Sequence, residues 1–169
     1  NPYVDSSWAS QVCGNQDFQE SADLAQRKSI VLLKNDPVRD TAILPLSKTT
    51  RIYAEGVDPE LLRAYGTVVN SLNEADVAVL RIRESFQPDA PFLRQTDSRT
   101  SPAVQSQTLE HVREVLRTKP TVVTFFLEHP AVIPEIGADS AALLVEFGAA
   151  DEALLDVIFG KFRPTGKLP

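Results

Sequence analysis

Short runs of β-branched and aromatic residues recur along this chain, separated by stretches whose apolar positions fall every three or four residues. Side chains repeat every second residue on a strand and about every 3.6 residues on a helix, so the two patterns predict different elements. Arg51-Ile52-Tyr53-Ala54, Thr67-Val68-Val69, Asp76 to Ile82, Thr121 to Leu127 and Ala141 to Glu146 read as strands. Within Asp76 to Ile82, the unbroken Val77-Ala78-Val79-Leu80 run is what a strand covered on both faces requires. A helix is expected from Asp17, with Glu20 completing a capping box and Ala22, Leu24, Ala25 and Ile30 along its stripe. Val31-Leu32-Leu33 read as the buried exit of that helix, ended before Asn35-Asp36-Pro37. Asp58 to Tyr65 is expected to be helical, with Pro59 at its first position. Further helices are expected over Pro102 to Arg117, Pro130 to Ile136 and Asp151 to Phe159, the last ended by Gly160. Asn1 to Asn15 read as an extended lead-in, and Leu44 is pushed to an extended conformation by Pro45.

Strands that alternate with helices across short connections imply a largely parallel sheet. The expected architecture is therefore α/β: a three-layer sandwich, a mostly parallel sheet of five or six strands with helices on both faces. Arg83 to Ser101 breaks the pattern, with Pro88, Pro91 and scattered Asp and Arg but little periodicity. It leaves the carboxyl end of a central strand, where open parallel sheets place their ligands. No Gly-x-Gly-x-x-Gly follows any strand, and Lys167 lacks the frame of a phosphate loop, so no nucleotide site is expected.

Composition narrows the chemistry. The 169 residues are 43% hydrophobic and 24% charged, ordinary for a globular domain, and carry a net charge of −6. Clustered cations are absent, which argues against nucleic acid as a partner. Apolar runs are too short to span a bilayer. Cys13 is alone, and His111 and His129 lack metal-ligand spacing, so neither an internal disulfide nor a zinc site is expected, and no cofactor is implied. The start at Asn1 and the ending in Gly-Lys-Leu-Pro are expected to be cuts within a longer polypeptide.

Four segments, in order, resemble one family. Asn1-Pro2-Tyr3-Val4-Asp5 resembles the linker leaving the barrel of glycoside hydrolase family 3. Ala25-x-Arg27-x-Ser29-Ile30-Val31-Leu32-Leu33-Lys34-Asn35, followed by Leu44-Pro45-Leu46, resembles the opening of that family's C-terminal domain. Ala75-Asp76-Val77-Ala78-Val79 resembles its central strand, and Gly160-x-x-x-Pro164-Thr165-Gly166-Lys167-Leu168-Pro169 its closing signature. The resemblance implies a linker over residues 1–16 and the C-terminal α/β domain over 17–169. The implied partner is an N-terminal (β/α)₈ barrel in the same polypeptide. Members are retaining, exo-acting glycosidases, mostly β-glucosidases and β-xylosidases, so the resemblance implies an oligo- or aryl-glycoside substrate. Their nucleophile lies in the barrel, and the C-terminal domain completes the sugar pocket and often supplies the acid/base carboxylate.

A retaining mechanism needs two carboxyl groups about 5–5.5 Å apart. Glu84 follows the Asp76 to Ile82 strand at the place of the family's Gly-Glu pair, with Arg83 in place of the glycine, and is the first candidate for the acid/base. Asp89 and Asp97 in the same loop are alternatives, and Arg94 and Arg99 are candidate sugar contacts. The competing reading of all five is an ordinary solvated loop. His129 is either an interface residue or a surface histidine, Cys13 a packed or surface thiol, and Trp8 a contact to the barrel or to the local core. A non-catalytic carbohydrate-binding or interaction module of the same fold is the alternative to an enzyme domain. A flavodoxin-like signalling domain fits less well, because the strand ends offer Glu84 and Glu128 but no cluster of aspartates.

Overall fold

The computed structural model describes residues 5–38, 40–83, 106–127 and 134–168. The chain opens with two helices, α1 (Ser6–Val12) and α2 (Gln16–Ser29), followed by strand β1 (Val31–Asn35). A two-stranded ribbon, β2 (Pro37–Val38) and β3 (Thr41–Ala42), precedes β4 (Arg51–Glu55), α3 (Pro59–Arg63) and β5 (Thr67–Val68). Then come β6 (Val77–Arg83), α4 (Ser106–Thr118), β7 (Thr121–Phe126), α5 (Pro134–Asp139), β8 (Ala142–Glu146) and α6 (Asp151–Ile158). The main sheet has six strands in the order β1-β8-β7-β6-β4-β5. All its pairings are parallel except β1 with β8, which is antiparallel.

Alternation along the strands divides the core in two. Val77 and Val79 of β6, Val122 of β7 and Leu144 of β8 face one way, onto Leu154, Leu155 and Ile158 of α6 and Leu62 of α3. Ala78, Leu80 and Ile82, with Val123, Phe125, Leu143 and Val145, face the other way, onto Val112, Val115 and Leu116 of α4 and Ile136 of α5. Helix α2 lies beside α6. The three-layer α/β sandwich is therefore present, and each fully buried Leu, Ile or Phe in it contributes about 1.5–3 kcal/mol.

Three local expectations are corrected. Asn1 to Asn15 is not wholly extended, because Ser6–Val12 is helical. Asp5 starts that helix by accepting the backbone N–H groups of Ser7 and Trp8, and neither Gly nor Pro interrupts the turn that follows. Asn15, not Asp17, caps α2, its side chain accepting the Asp17 N–H at 2.8 Å. Asp17 instead sits in the first turn, where its charge suits the helix dipole, and Glu20 accepts from the Gln16 side chain rather than closing a capping box. Finally, Val31-Leu32-Leu33 is not a helix exit but the body of β1, with Val31 opposite Val145 and a register shift between Leu32 and Lys34. A short apolar run fits either element, and the choice is made by the open backbone of β8, which accepts it as a sixth strand.

The Lys34-Asn35 pair does structural work at this edge. Lys34 Nζ donates to the carbonyls of Gly137 (3.0 Å) and Ala138 (2.8 Å) in the last turn of α5. Asn35 brackets the backbone of Leu44, accepting its N–H at 3.0 Å and donating to its carbonyl at 3.1 Å. The closing segment returns to the same region, where Gly166 donates to the Ile30 carbonyl at 3.2 Å. A Cβ on Gly166 would stand 2.5 Å from that oxygen, so only glycine permits the approach.

Candidate functional site

The carboxyl ends of β4, β6, β7 and β8 lie side by side at one edge of the sheet, and ligands of open α/β sheets bind outside this edge. Arg81, which follows the apolar Val77-Ala78-Val79-Leu80 run of β6, is the centre of what the described residues build there. Its side chain is 1% exposed and that of Glu146, at the end of β8, is fully buried. Arg81 Nε and Nη2 both reach Glu146 Oε1, at 3.1 and 2.7 Å. Nη2 also donates to the Ala149 carbonyl, and Nη1 pairs with Asp151 at the start of α6. The second oxygen of Glu146 accepts the backbone N–H groups of Gly148 (2.6 Å) and Ala149 (2.7 Å).

Neighbouring loops join the same network. Asp151 Oδ2 accepts the backbone N–H of Asp58 at 2.7 Å, fastening the β4–α3 loop to the head of α6. Gly56, at φ +75°, turns that loop so tightly against β6 that a Cβ would run into the Arg81 carbonyl oxygen. Ala150 N–H donates to the Gln26 side chain at 2.6 Å, which ties in α2. Charges taken out of water at several kcal/mol each are thus matched by a full set of partners.

Two further polar clusters flank this one. At the end of β4, Glu55 Oε1 accepts from the Tyr53 hydroxyl at 2.6 Å and lies 2.8 Å from His111 Nε2 on α4. The hydrogen bond to Glu55, helped by burial, raises the Tyr53 phenol above its ordinary pKa. On α6, burial would raise Asp156, but hydrogen bonds from Tyr65 and Arg27 and the charges of Arg27 and Lys161 outweigh it and hold the carboxyl low. Burial and the Asp156 contact push Tyr65 strongly upward, and the Lys161 ammonium stands 3.7 Å over its ring. This cluster joins α2, α3 and α6 and has the character of a brace.

Glu84, Asp89, Arg94, Asp97 and Arg99, together with Glu128 and His129, lie outside the described residues. In the chain, residues 84–105 connect β6 to α4, and 128–133 connect β7 to α5. Trp8 is 62% exposed on α1, which removes the local core contact as its role. Cys13 is exposed. Among the described residues no group of three or more His, Cys, Asp or Glu side chains could hold a metal ion, and no helix is long and apolar enough to cross a membrane. Arg81, Glu146 and Asp151 were not singled out from the sequence. The available signal was a charge inside a strand covered on both faces, since a buried charge demands a partner.

A doubly covered, mostly parallel sheet with a braced carboxyl edge defines this chain as a three-layer α/β domain. Residues 63–169 match the family model described as the glycosyl hydrolase family 3 C-terminal domain, and the chain belongs to that family. It is 38% identical, over its whole length, to Beta-glucosidase C of Emericella nidulans, of which it spans 27%. It is 30% identical to the Periplasmic beta-glucosidase/beta-xylosidase of Dickeya chrysanthemi, with 99% of the chain covered and 26% of that protein. The chain thus spans about a quarter of the length of the curated relatives it matches. Among solved structures, a β-glucosidase from Erythrobacter marinus superposes on all of the chain, and on 32% of its own, with TM-score 0.78 at 18% identity. The β-glucosidase from Listeria innocua in complex with glucose covers 92% of the chain, and 27% of its own, with TM-score 0.66 at 21% identity. At these identities the two structures establish the fold, including its mixed six-stranded sheet.

Proposed function

We propose that the chain is the C-terminal α/β domain of a retaining, exo-acting β-glucosidase or β-xylosidase, and that its carboxyl edge completes a sugar pocket whose nucleophile resides elsewhere in the polypeptide. The observation that carries this reading is full-length similarity to Beta-glucosidase C by a chain that spans 27% of it. Residues 1–16 are then the connection to an N-terminal (β/α)₈ barrel, and 17–169 the domain. Trp8 and Phe18, exposed on α1 and α2, are proposed contacts to that barrel. Glu84 is the proposed acid/base, with Asp89 and Asp97 as alternatives and Arg94 and Arg99 as sugar contacts. The braced edge supports this reading, because β6, which leads into that segment, is anchored through Arg81 to β8 and α6.

The 169-residue chain alone is expected to hydrolyse no aryl β-glucoside or β-xyloside, whereas the full-length protein does. Dose-dependent turnover by the chain alone would overturn the division of labour. In the full-length enzyme, replacing the true acid/base by its amide lowers kcat about 10²–10⁴-fold, so Glu84→Gln, Asp89→Asn and Asp97→Asn sort the three carboxylates. Should all three keep wild-type turnover, the acid/base assignment to this domain fails. Calorimetric titration of the chain with glucose, xylose and short β-glucans tests the alternative of a stand-alone sugar-binding module, which requires saturable heat.

A further inference from the structure

We propose that Phe147 is a carbohydrate-stacking residue, its ring presented to a pyranose by a turn that the buried Arg81–Glu146 pair locks in place. This rests on reading the chain as part of a β-glycosidase. Phe147 is 45% exposed, although the residue before it is fully buried. The other large apolar side chains exposed among the described residues are Trp8, Phe18, Leu24, Leu33 and Leu168, on α1, α2, β1 and the closing segment. Among the described residues of the carboxyl edge, no other large apolar side chain is this exposed.

The turn beneath it is held from three directions. Glu146 takes the N–H groups of Gly148 and Ala149, Arg81 takes the Ala149 carbonyl, and Gln26 takes the Ala150 N–H. Gly148 adopts φ +97°, a conformation other residues rarely reach. Two side chains with essentially no exposure, one positive and one negative, are spent on fixing a turn whose outward side chain is aromatic. Binding groups on fixed backbone lose little conformational entropy when a ligand arrives.

Position and chemistry both select a sugar as the occupant. Glu146 pairs in register with Phe126, and Phe126 with Arg83, the last residue of β6. Phe147 therefore stands about two strand spacings, roughly 10 Å, from the strand exit that leads to the proposed acid/base segment. A docking face for protein requires a cluster of apolar side chains around a buried centre. Phe147 is followed instead by Gly148, Ala149 and Ala150. One flat ring suits a pyranose, whose C–H face packs on the aromatic surface while its hydroxyl rim stays hydrogen-bonded.

The test uses the full-length protein and compares Phe147→Ala, Phe147→Leu and Phe147→Trp. KM and kcat are measured on p-nitrophenyl β-glucoside and a β-linked disaccharide, Ki for glucose, and Tm by calorimetry. Phe147→Ala and Phe147→Leu are expected to raise KM or the glucose Ki about tenfold, the value of one lost aromatic contact, with Tm held. Phe147→Trp is expected to retain wild-type binding. Leucine keeps the apolar bulk but not the flat ring, so wild-type KM and Ki in Phe147→Leu would overturn the proposal. So would a lowered Tm with unchanged KM in Phe147→Ala, which marks a protein contact. A full-length wild type without glycosidase activity refutes the functional reading itself, whereas an active wild type with insensitive variants refutes Phe147 alone.

Discussion

Arg81→Met is the substitution that most directly questions how the carboxyl edge is held. It removes both Arg81 bonds to Glu146 and leaves a carboxylate with no solvent exposure beside an apolar side chain. The two backbone N–H groups on its other oxygen remain, so the charge is hydrogen-bonded but no longer neutralised. Breaking a buried pair in this way costs about 3–5 kcal/mol. Loss of the Asp151 contact adds little, because Asp151 is 22% exposed and water replaces the guanidinium. Against a domain stability of about 5–15 kcal/mol, this loss is a large fraction of the total and should move the unfolding midpoint far below that of the wild type.

The sign of the second substitution separates a stranded charge from lost packing. Glu146→Gln keeps an oxygen for the Gly148 and Ala149 N–H groups but carries no charge. Arg81→Met/Glu146→Gln is therefore expected to be more stable than Arg81→Met by about 1–3 kcal/mol, although it carries one substitution more. Urea unfolding followed by far-ultraviolet circular dichroism measures both, with m about 1–3 kcal/mol/M serving as the check on two-state behaviour. A double variant no more stable than Arg81→Met refutes the argument, since the cost would then lie in shape rather than charge.

Gly56→Ala is expected to cost above ~2 kcal/mol in the same assay, from the positive φ and the Arg81 carbonyl in its path; wild-type stability would show that the β4–α3 loop moves freely. The Thr124 hydroxyl is buried and finds no partner among the described residues, so Thr124→Val should hold or raise Tm, and a fall of several degrees would reveal a hidden bond. Asp156, held low as described, and Asp76, brought to about 2 by the Arg51 side chain and backbone N–H, bind protons less readily folded than unfolded. The stability they supply is present above the ordinary Asp pKa of about 4 and lost as pH falls below it, for Asp76 towards about 2, so the Asp76→Asn/Asp156→Asn variant should show a flatter acid limb of Tm against pH than wild type; parallel curves refute it. Tyr65, with its pKa raised, contributes stability that is complete below pH about 10 and declines above it, a limb that Tyr65→Phe should lack.

The alternation of β6, α4, β7, α5, β8 and α6 was legible because the strands are covered on both faces and read as short, mainly apolar runs. β1 was not, since Val31-Leu32-Leu33 has no period long enough to separate strand from helix. The fastening of the carboxyl edge was hidden for a different reason. Arg81 pairs in register with Thr124, and Thr124 with Leu144, so Glu146 reaches Arg81 two residues further along β8 and across an intervening strand. No local spacing carries that relation. It exists only once the register of three strands is set, and the register is set by apolar residues on either side of the charges.

The segments that reveal the family are accordingly not the ones that build the candidate site. Lys34 closes the end of α5, Asn35 brackets Leu44, Pro45 abuts Gly160, where a Cβ would meet it at 2.8 Å, and Gly166 rests on Ile30. Asn35, Leu44, Pro45, Gly160 and Gly166 also line one open cleft of about 480 Å³ beside the closing segment. Each fills a geometric demand that few residue types meet: a short side chain bracketing a backbone, or a glycine where a Cβ collides. Such demands leave a legible trace because substitution is costly whatever the substrate. The carboxyl edge works under a different constraint, in which one buried cation must satisfy Glu146, Asp151 and the Ala149 carbonyl together. Any sequence that keeps this set of partners can change the residues displayed above it. The fold is therefore read from the closing segment, whereas the bracing of the carboxyl edge is read only at Arg81 and its partners.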